Sequence, residues 1–171
     1  MGAEIERKWL VDPSCIPYDL DKLQSYEIEQ AYISFHNPTV RVRRINGGEA
    51  HILTIKTKPN ADYYSAHSSE LVREETEVSL SSDEYENLKG LCCGIVIIKR
   101  RYLHPVSDGL TEEIDIFDYD YKGLALLEIE FPDEVSAAVY PTPDWVIKDV
   151  TYDPRYKNAS LASHSIPVIE F

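Results

Sequence analysis

The chain has 171 residues, 43% hydrophobic and 27% charged, which is enough apolar mass for one packed domain and too much for a disordered chain. Seventeen Lys+Arg against thirty Asp+Glu leave a formal net charge of −13. Nucleic acid and anionic membrane surfaces are therefore poor default partners, because neutralising phosphates takes a basic face. No apolar run is long enough to span a bilayer, and the first residues lack the basic-then-apolar pattern of a leader. The cysteines (Cys15, Cys92, Cys93) are odd in number, and none has zinc-ligand spacing. The expectation is a reduced, cytoplasmic protein forming a single domain over residues 1–171, with no nucleic-acid or membrane partner, as a monomer or homodimer.

Along the chain the recurring signal is period-two alternation. It runs through Glu4–Leu10, Gln30–Phe35, Val40–Arg43, Ile52–Lys58, Arg73–Val78, Ile97–Tyr102, Glu113–Phe117 and Leu126–Phe131. These segments are rich in Ile, Val, Thr and Tyr, and they predict eight strands. Asn46-Gly47-Gly48 marks a hairpin between the third and fourth. Pro59–Asp62 ends the fourth, Ser107–Gly109 joins the sixth and seventh, and Asp118–Gly123 forms a loop before the eighth.

Helices are fewer. Ser81 and Glu84 have capping-box spacing ahead of Tyr85, Leu88 and Leu91. Pro132 reads as standing near the first turn of a helix through Val135 and Val139. A short third helix is expected over Asn158–His164. The five histidines read as surface residues, and Cys92 and Cys93 as small buried side chains. The fold class is α+β and mostly β.

One face of seven of the eight strands collects charge. The set is Glu4, Glu6 and Lys8; Arg41 and Arg43; Lys56 and Lys58; Arg73, Glu75 and Glu77; Lys99 and Arg101; Glu113 and Asp115; Glu128 and Glu130. It holds eight acidic and eight basic residues, so the other twenty-two acidic and nine basic residues carry the whole −13. The opposite face carries Ile5, Val42, Leu53, Ile55, Val78, Ile98, Ile114, Ile116, Leu127 and Ile129. An open sheet would place the charges on its free side. A closed eight-stranded antiparallel barrel with a few helices packed outside would turn them into a lumen. Such a lumen is wet, because a dry one could not hold sixteen charges.

Arg and Lys rows suit phosphate oxygens. Glu-x-Glu pairs, roughly 7 Å apart along a strand, suit a hard divalent cation. A metal-bound polyphosphate satisfies both. No glycine-rich phosphate loop occurs, so phosphate binding would rest on side chains.

Glu4-Ile5-Glu6-Arg7-Lys8 resembles the ExExK signature of the CYTH superfamily, the triphosphate tunnel metalloenzymes. The likeness continues in order through Gln30-Ala31-Tyr32, Arg41-Val42-Arg43, Leu53–Lys56, Arg73–Glu77, Lys99–Tyr102, Glu113–Asp115, Leu127–Phe131 and Arg155–Asn158. The resemblance implies an eight-stranded tunnel that hydrolyses inorganic triphosphate with Mg²⁺ or Mn²⁺. The alternatives are a class IV type adenylate cyclase or other nucleoside or thiamine triphosphate enzyme, and a non-catalytic polyphosphate-binding module.

Carried over by position, Glu4, Glu6, Glu128 and Glu130 would form the metal cluster, with Glu75 and Glu77 as a second acidic group. Lys8, Arg41, Arg43, Lys56, Arg73, Lys99, Arg101 and Lys157 would clamp the small-molecule triphosphate. Lys8 and Tyr32 would form a catalytic pair whose proton affinities nearby cations could lower. Glu113 and Asp115 are expected either at the metal or as partners that hold the clamp arginines.

Overall fold

The computed structural model describes residues 2–58 and 72–163. The eight alternating segments become β1 (Gly2–Val11), β2 (Gln24–Ser34), β3 (Thr39–Ile45), β4 (Ala50–Thr57), β5 (Val72–Ser79), β6 (Cys93–Pro105), β7 (Thr111–Phe117) and β8 (Ala125–Glu130). They run in the order β5-β4-β3-β2-β6-β7-β8-β1, and β5 pairs with β1 to close an antiparallel barrel. At that seam Gly2 faces Glu75 and Glu4 faces Arg73. On its other edge β1 meets β8, with Glu6 opposite Glu130 and Lys8 opposite Glu128. A ninth strand, β9 (Lys148–Asp149), lies against Trp9 and Leu10. Two residues are too few to show a period, and the sequence did not reveal it.

Local chemistry sets the connections. Asn46, Gly47 and Gly48 all take positive φ in the β3–β4 turn, which the Ile45 carbonyl closes by accepting from Gly48 N at 2.9 Å. α1 (Ser82–Lys89) starts at the expected capping box: Ser81 Oγ accepts from Glu84 N, and Ser81 N donates to the Glu84 carboxylate at 2.7 Å. α2 (Glu134–Val139) is capped by Asp133, and Pro132 stands immediately before the cap. α3 (Asn158–Ala162) is shorter than expected; His164, His67 and the Pro59–Asp62 turn lie outside the described residues.

The inward faces of five strands, β1, β2, β6, β7 and β8, change character along their length. Lys8 is followed by Leu10, Asp115 by Phe117 and Gln30 by Tyr32, while Lys99 and Glu128 are preceded by Ile97 and Leu126. Those apolar members are buried and pack with Tyr156, Leu161 and Ala162. One end of the barrel is thus closed by a dry plug that α3 completes, and the charges occupy the rest. Gly94 permits the approach: its φ is +74°, and a Cβ there would lie 2.0 Å from the Ala162 carbonyl oxygen.

Outside the barrel, Ile5, Trp9, Ile114, Leu127 and Ile129 pack under α2 and the 140–146 segment, and Tyr85 of α1 covers Ala31 and Val42. Val78, expected on this packed outer face, is 46% exposed and belongs to none of the apolar clusters among the described residues. Cys93 is exposed and Cys92 half-buried, against the expectation that both are interior. His51 lies against Tyr85 in a tilted arrangement, ring centroids 5.0 Å apart, and His104 bonds Glu112 at 3.0 Å, so these two are not simple surface residues. Among the described residues, no helix is long and apolar enough to cross a membrane.

Candidate active site

Two connected chambers occupy the barrel. The first, about 390 Å³, is lined by Lys8, Tyr32, Lys58, Arg73 and Lys157, with His36 at its rim. The second, about 300 Å³, is lined by Arg43, Lys99, Arg101, Glu75, Glu77, Glu113, Glu128 and Glu130. Glu4, Glu6, Arg41, Lys56 and Asn158 line both and form the passage between them. Every residue carried over to the metal, phosphate or catalytic sets therefore faces one of the two spaces, whereas of the pair Glu113 and Asp115 only Glu113 does. Gln30, Tyr26 and Asn158 also line them. No charge pattern singles these three out, because uncharged polar side chains look alike on wet and inward faces.

Most of the charges are paired. Lys56 Nζ donates to Glu4 Oε2 at 2.5 Å and lies 3.1 Å from Glu75 Oε2. Arg43 Nη2 donates to Glu77 at 2.6 Å. Lys8 Nζ sits 3.1 Å from Glu128 Oε1 and donates to the Tyr156 carbonyl at 3.3 Å. Arg101 donates to Asp115 through Nε and Nη2, to Glu113 through Nη1, and to Glu128 through Nη2 at 3.3 Å. Lys99 Nζ donates to Asp115 at 2.6 Å and to Asn158 Oδ1 at 3.4 Å.

Some cations have no such partner. Among the described residues, neither Arg41 nor Arg73 has a carboxylate within ion-pair distance. Arg41 is only 9% exposed, and its Nε is buried without an acceptor, as is Arg43 Nε. A buried unpaired guanidinium is costly in a finished interior. Its presence on the wall of a cavity points to an anion that supplies the missing acceptors.

Proton affinities follow the same map. Burial pushes Glu4, Glu6 and Glu130 above the usual carboxylate range, and neighbouring carboxylates push in the same direction: Glu75 on Glu4, Glu128 and Glu4 on Glu6, and Glu4 and Glu75 on Glu130. Burial opposes the charge on Glu128 too, yet Lys8, Arg101 and Lys99 hold it well below that range. Lys8 was expected to be lowered by cations. Burial does work in that direction, but its neighbours Glu128 and Glu6 outweigh it and raise the lysine. Lys99 is the lysine that is lowered, by burial and by Arg101 despite Asp115.

The donor set suits a hard divalent cation: Glu4, Glu6 and Glu130 are carboxylates whose crowding a cation would relieve. Glu75 Oε2 and Glu128 Oε1 are buried, and neither receives a well-directed hydrogen bond although an ammonium lies 3.1 Å away. Among the described residues, no three acidic, histidine or cysteine side chains converge on one point, because the carboxylates turn towards Lys56, Arg43, Lys8 and Arg101.

The inorganic triphosphatase of Acetivibrio thermocellus is 37% identical to this chain over 166 residues, covering 96% of each protein. The inorganic triphosphatase of Nitrosomonas europaea is 30% identical over 165 residues, covering 96% of this chain and 99% of that one. The crystal structure of the inorganic triphosphatase NE1496 superposes with a TM-score of 0.63 at 30% identity, over 95% of this chain and 96% of that one. The CYTH domain model matches residues 2–165, and the chain belongs to the CYTH domain family.

Proposed function

We propose that this protein hydrolyses inorganic triphosphate to pyrophosphate and phosphate inside the barrel, with Mg²⁺ or Mn²⁺ as cofactor. The observation that carries the reading is Arg41, a buried guanidinium with an unused donor on the wall between two chambers. The full-length relatives that bear the name inorganic triphosphatase support it.

In this reading the triphosphate lies along the passage, with its oxygens taken by Arg41, Arg73, Lys56 and Lys157 from the first chamber and by Arg43, Lys99 and Arg101 from the second. Glu4, Glu6 and Glu130 would hold the divalent cation, with Glu128, Glu75 and Glu77 as further carboxylates, and the bound ion would supply a Lewis acid and charge neutralisation. Lys8, held protonated, donates to a terminal oxygen. Tyr32 borders the same chamber and helps to orient the attacking water. Bond breaking then depends on fixed cations that offset charge on the transferring and leaving oxygens.

The test is phosphate release from tripolyphosphate, ATP and thiamine triphosphate, each with Mg²⁺, with Mn²⁺ and with chelator. Tripolyphosphate should turn over fastest, and chelator should abolish release. Cyclic AMP from ATP at a comparable rate would favour a cyclase, and tight binding of tripolyphosphate without turnover would favour a binding module.

A further inference from the structure

We propose that Asp115 is a positioning residue, which locks Lys99 and Arg101 into one preorganised cationic unit facing the second chamber; this inference rests on the triphosphatase reading. Lys99 and Arg101 stand two residues apart on β6, and both line that chamber. Asp115 lies opposite Arg101 on β7. It is fully buried and lines neither chamber, so it stands behind the wall that its partners form. Both its oxygens are consumed. Oδ1 accepts from Arg101 Nε at 2.7 Å, and Oδ2 accepts from Arg101 Nη2 at 2.8 Å and from Lys99 Nζ at 2.6 Å.

This separates Asp115 from the other carboxylates of the barrel. Glu113 and Glu128, which also bond Arg101, line the chamber and are in reach of whatever occupies it. Those two bonds can be exchanged for phosphate oxygens or for a cation. The Asp115 bonds have no competitor and persist.

Two functions follow. Two like charges side by side at low dielectric repel, and one carboxylate between them reduces the pair to a net single positive charge. Long cationic side chains also lose considerable rotamer freedom when they bind. Fixing them before substrate arrives moves that ordering into the folding step, and this is the preorganisation that favours the transition state over the ground state.

The experiment is steady-state kinetics on tripolyphosphate for wild type, Asp115→Asn and Asp115→Glu, each assayed well below its own thermal midpoint. The asparagine removes the charge; the glutamate keeps it but displaces the carboxylate by one methylene. Asp115→Asn should lower kcat at least tenfold with KM unchanged or reduced, because the lumen is more positive but its cations are loose. Asp115→Glu should also lower kcat, by a smaller factor, at unchanged KM. A kcat within twofold of wild type in both variants would overturn the proposal. So would a loss in Asp115→Asn that appears only as raised KM. If Asp115→Asn does not fold, Asp115→Glu decides by the same two numbers; if neither folds, Asp115 serves the fold and the proposal fails. Absence of turnover by the wild type would instead sink the triphosphatase reading, so the two failures are distinguishable.

Discussion

Glu4 and Arg73 sit opposite each other in register across the β1–β5 seam, yet they do not pair. The Glu4 carboxylate takes Lys56 at 2.5 Å, and Arg73 faces the first chamber without a carboxylate partner among the described residues. The seam that closes the barrel therefore leaves a cation free on its inner wall.

That arrangement predicts a separation of stability from activity. Removing Arg73 strands no carboxylate, so Arg73→Ala should leave the ligand-free thermal midpoint unchanged or slightly higher, whereas Arg41→Gln also gives up the contact with the Tyr32 hydroxyl and should lower the midpoint slightly. Each charge-assisted bond to phosphate is worth about 1.5–3 kcal/mol, so kcat/KM on tripolyphosphate should fall roughly 10- to 100-fold. Calorimetry and steady-state rates on the same preparations check this; a large loss of midpoint without loss of kcat/KM would contradict it.

A second prediction concerns pH. Burial and the Glu128 and Asp115 charges outweigh Arg101, which Asp115 already neutralises, and push Glu113 up to about 7. Between the ordinary carboxylate value and about 7 the folded state then binds a proton that the unfolded chain has released. Stability is fully present below that window and is lost as pH rises through it. Glu4, Glu6 and Glu130 act in the same direction. Asp115 and Glu128, held low, act oppositely and lose stability only as pH falls through the ordinary carboxylate value towards their own. The ligand-free midpoint should therefore drop from pH 5 to pH 7.5. Glu113 is 30% exposed, and its share is on the order of 1–2 kcal/mol after screening. Glu113→Gln should flatten the slope by a few degrees; an unchanged slope would contradict the assignment.

The plug gives a third. Gly94→Ala puts a Cβ against the Ala162 carbonyl in a left-handed backbone conformation, whereas a Cβ at Gly47 meets nothing within 4 Å. Gly94→Ala should cost more than about 3 kcal/mol and lower activity by displacing α3, which carries Asn158 and hence a contact of Lys99. Gly47→Ala should cost only the left-handed strain, about 1 kcal/mol. Equal midpoints for the two variants would show that the close packing of α3 on β6 is absent.

Much of this architecture is legible in the sequence, because a barrel strand advertises itself by period two and every inward face except that of β2 carries charge. The capping box at Ser81 and the Asn46-Gly47-Gly48 turn are read the same way, from local chemistry alone. The plug is not. A change from Lys8 to Leu10 or from Asp115 to Phe117 looks like imperfect alternation until the barrel closes and those apolar ends meet α3. Ion-pair partners are equally hidden, since Lys56 joins Glu4 to Glu75 across two seams and Asp115 stands behind Arg101 only in three dimensions. Tyr26 and Gln30 line the second chamber but carry no charge, so the charge pattern does not mark them.

Phosphate release from tripolyphosphate, followed while Mg²⁺ is titrated into wild type and Glu4→Gln side by side, tests the tunnel reading most directly. Wild type should require the cation and saturate with it. Glu4→Gln should fold normally, need far more Mg²⁺ and turn over at least a hundredfold more slowly. A metal-independent wild type, or a Glu4→Gln protein with unchanged rate and metal requirement, would contradict the account.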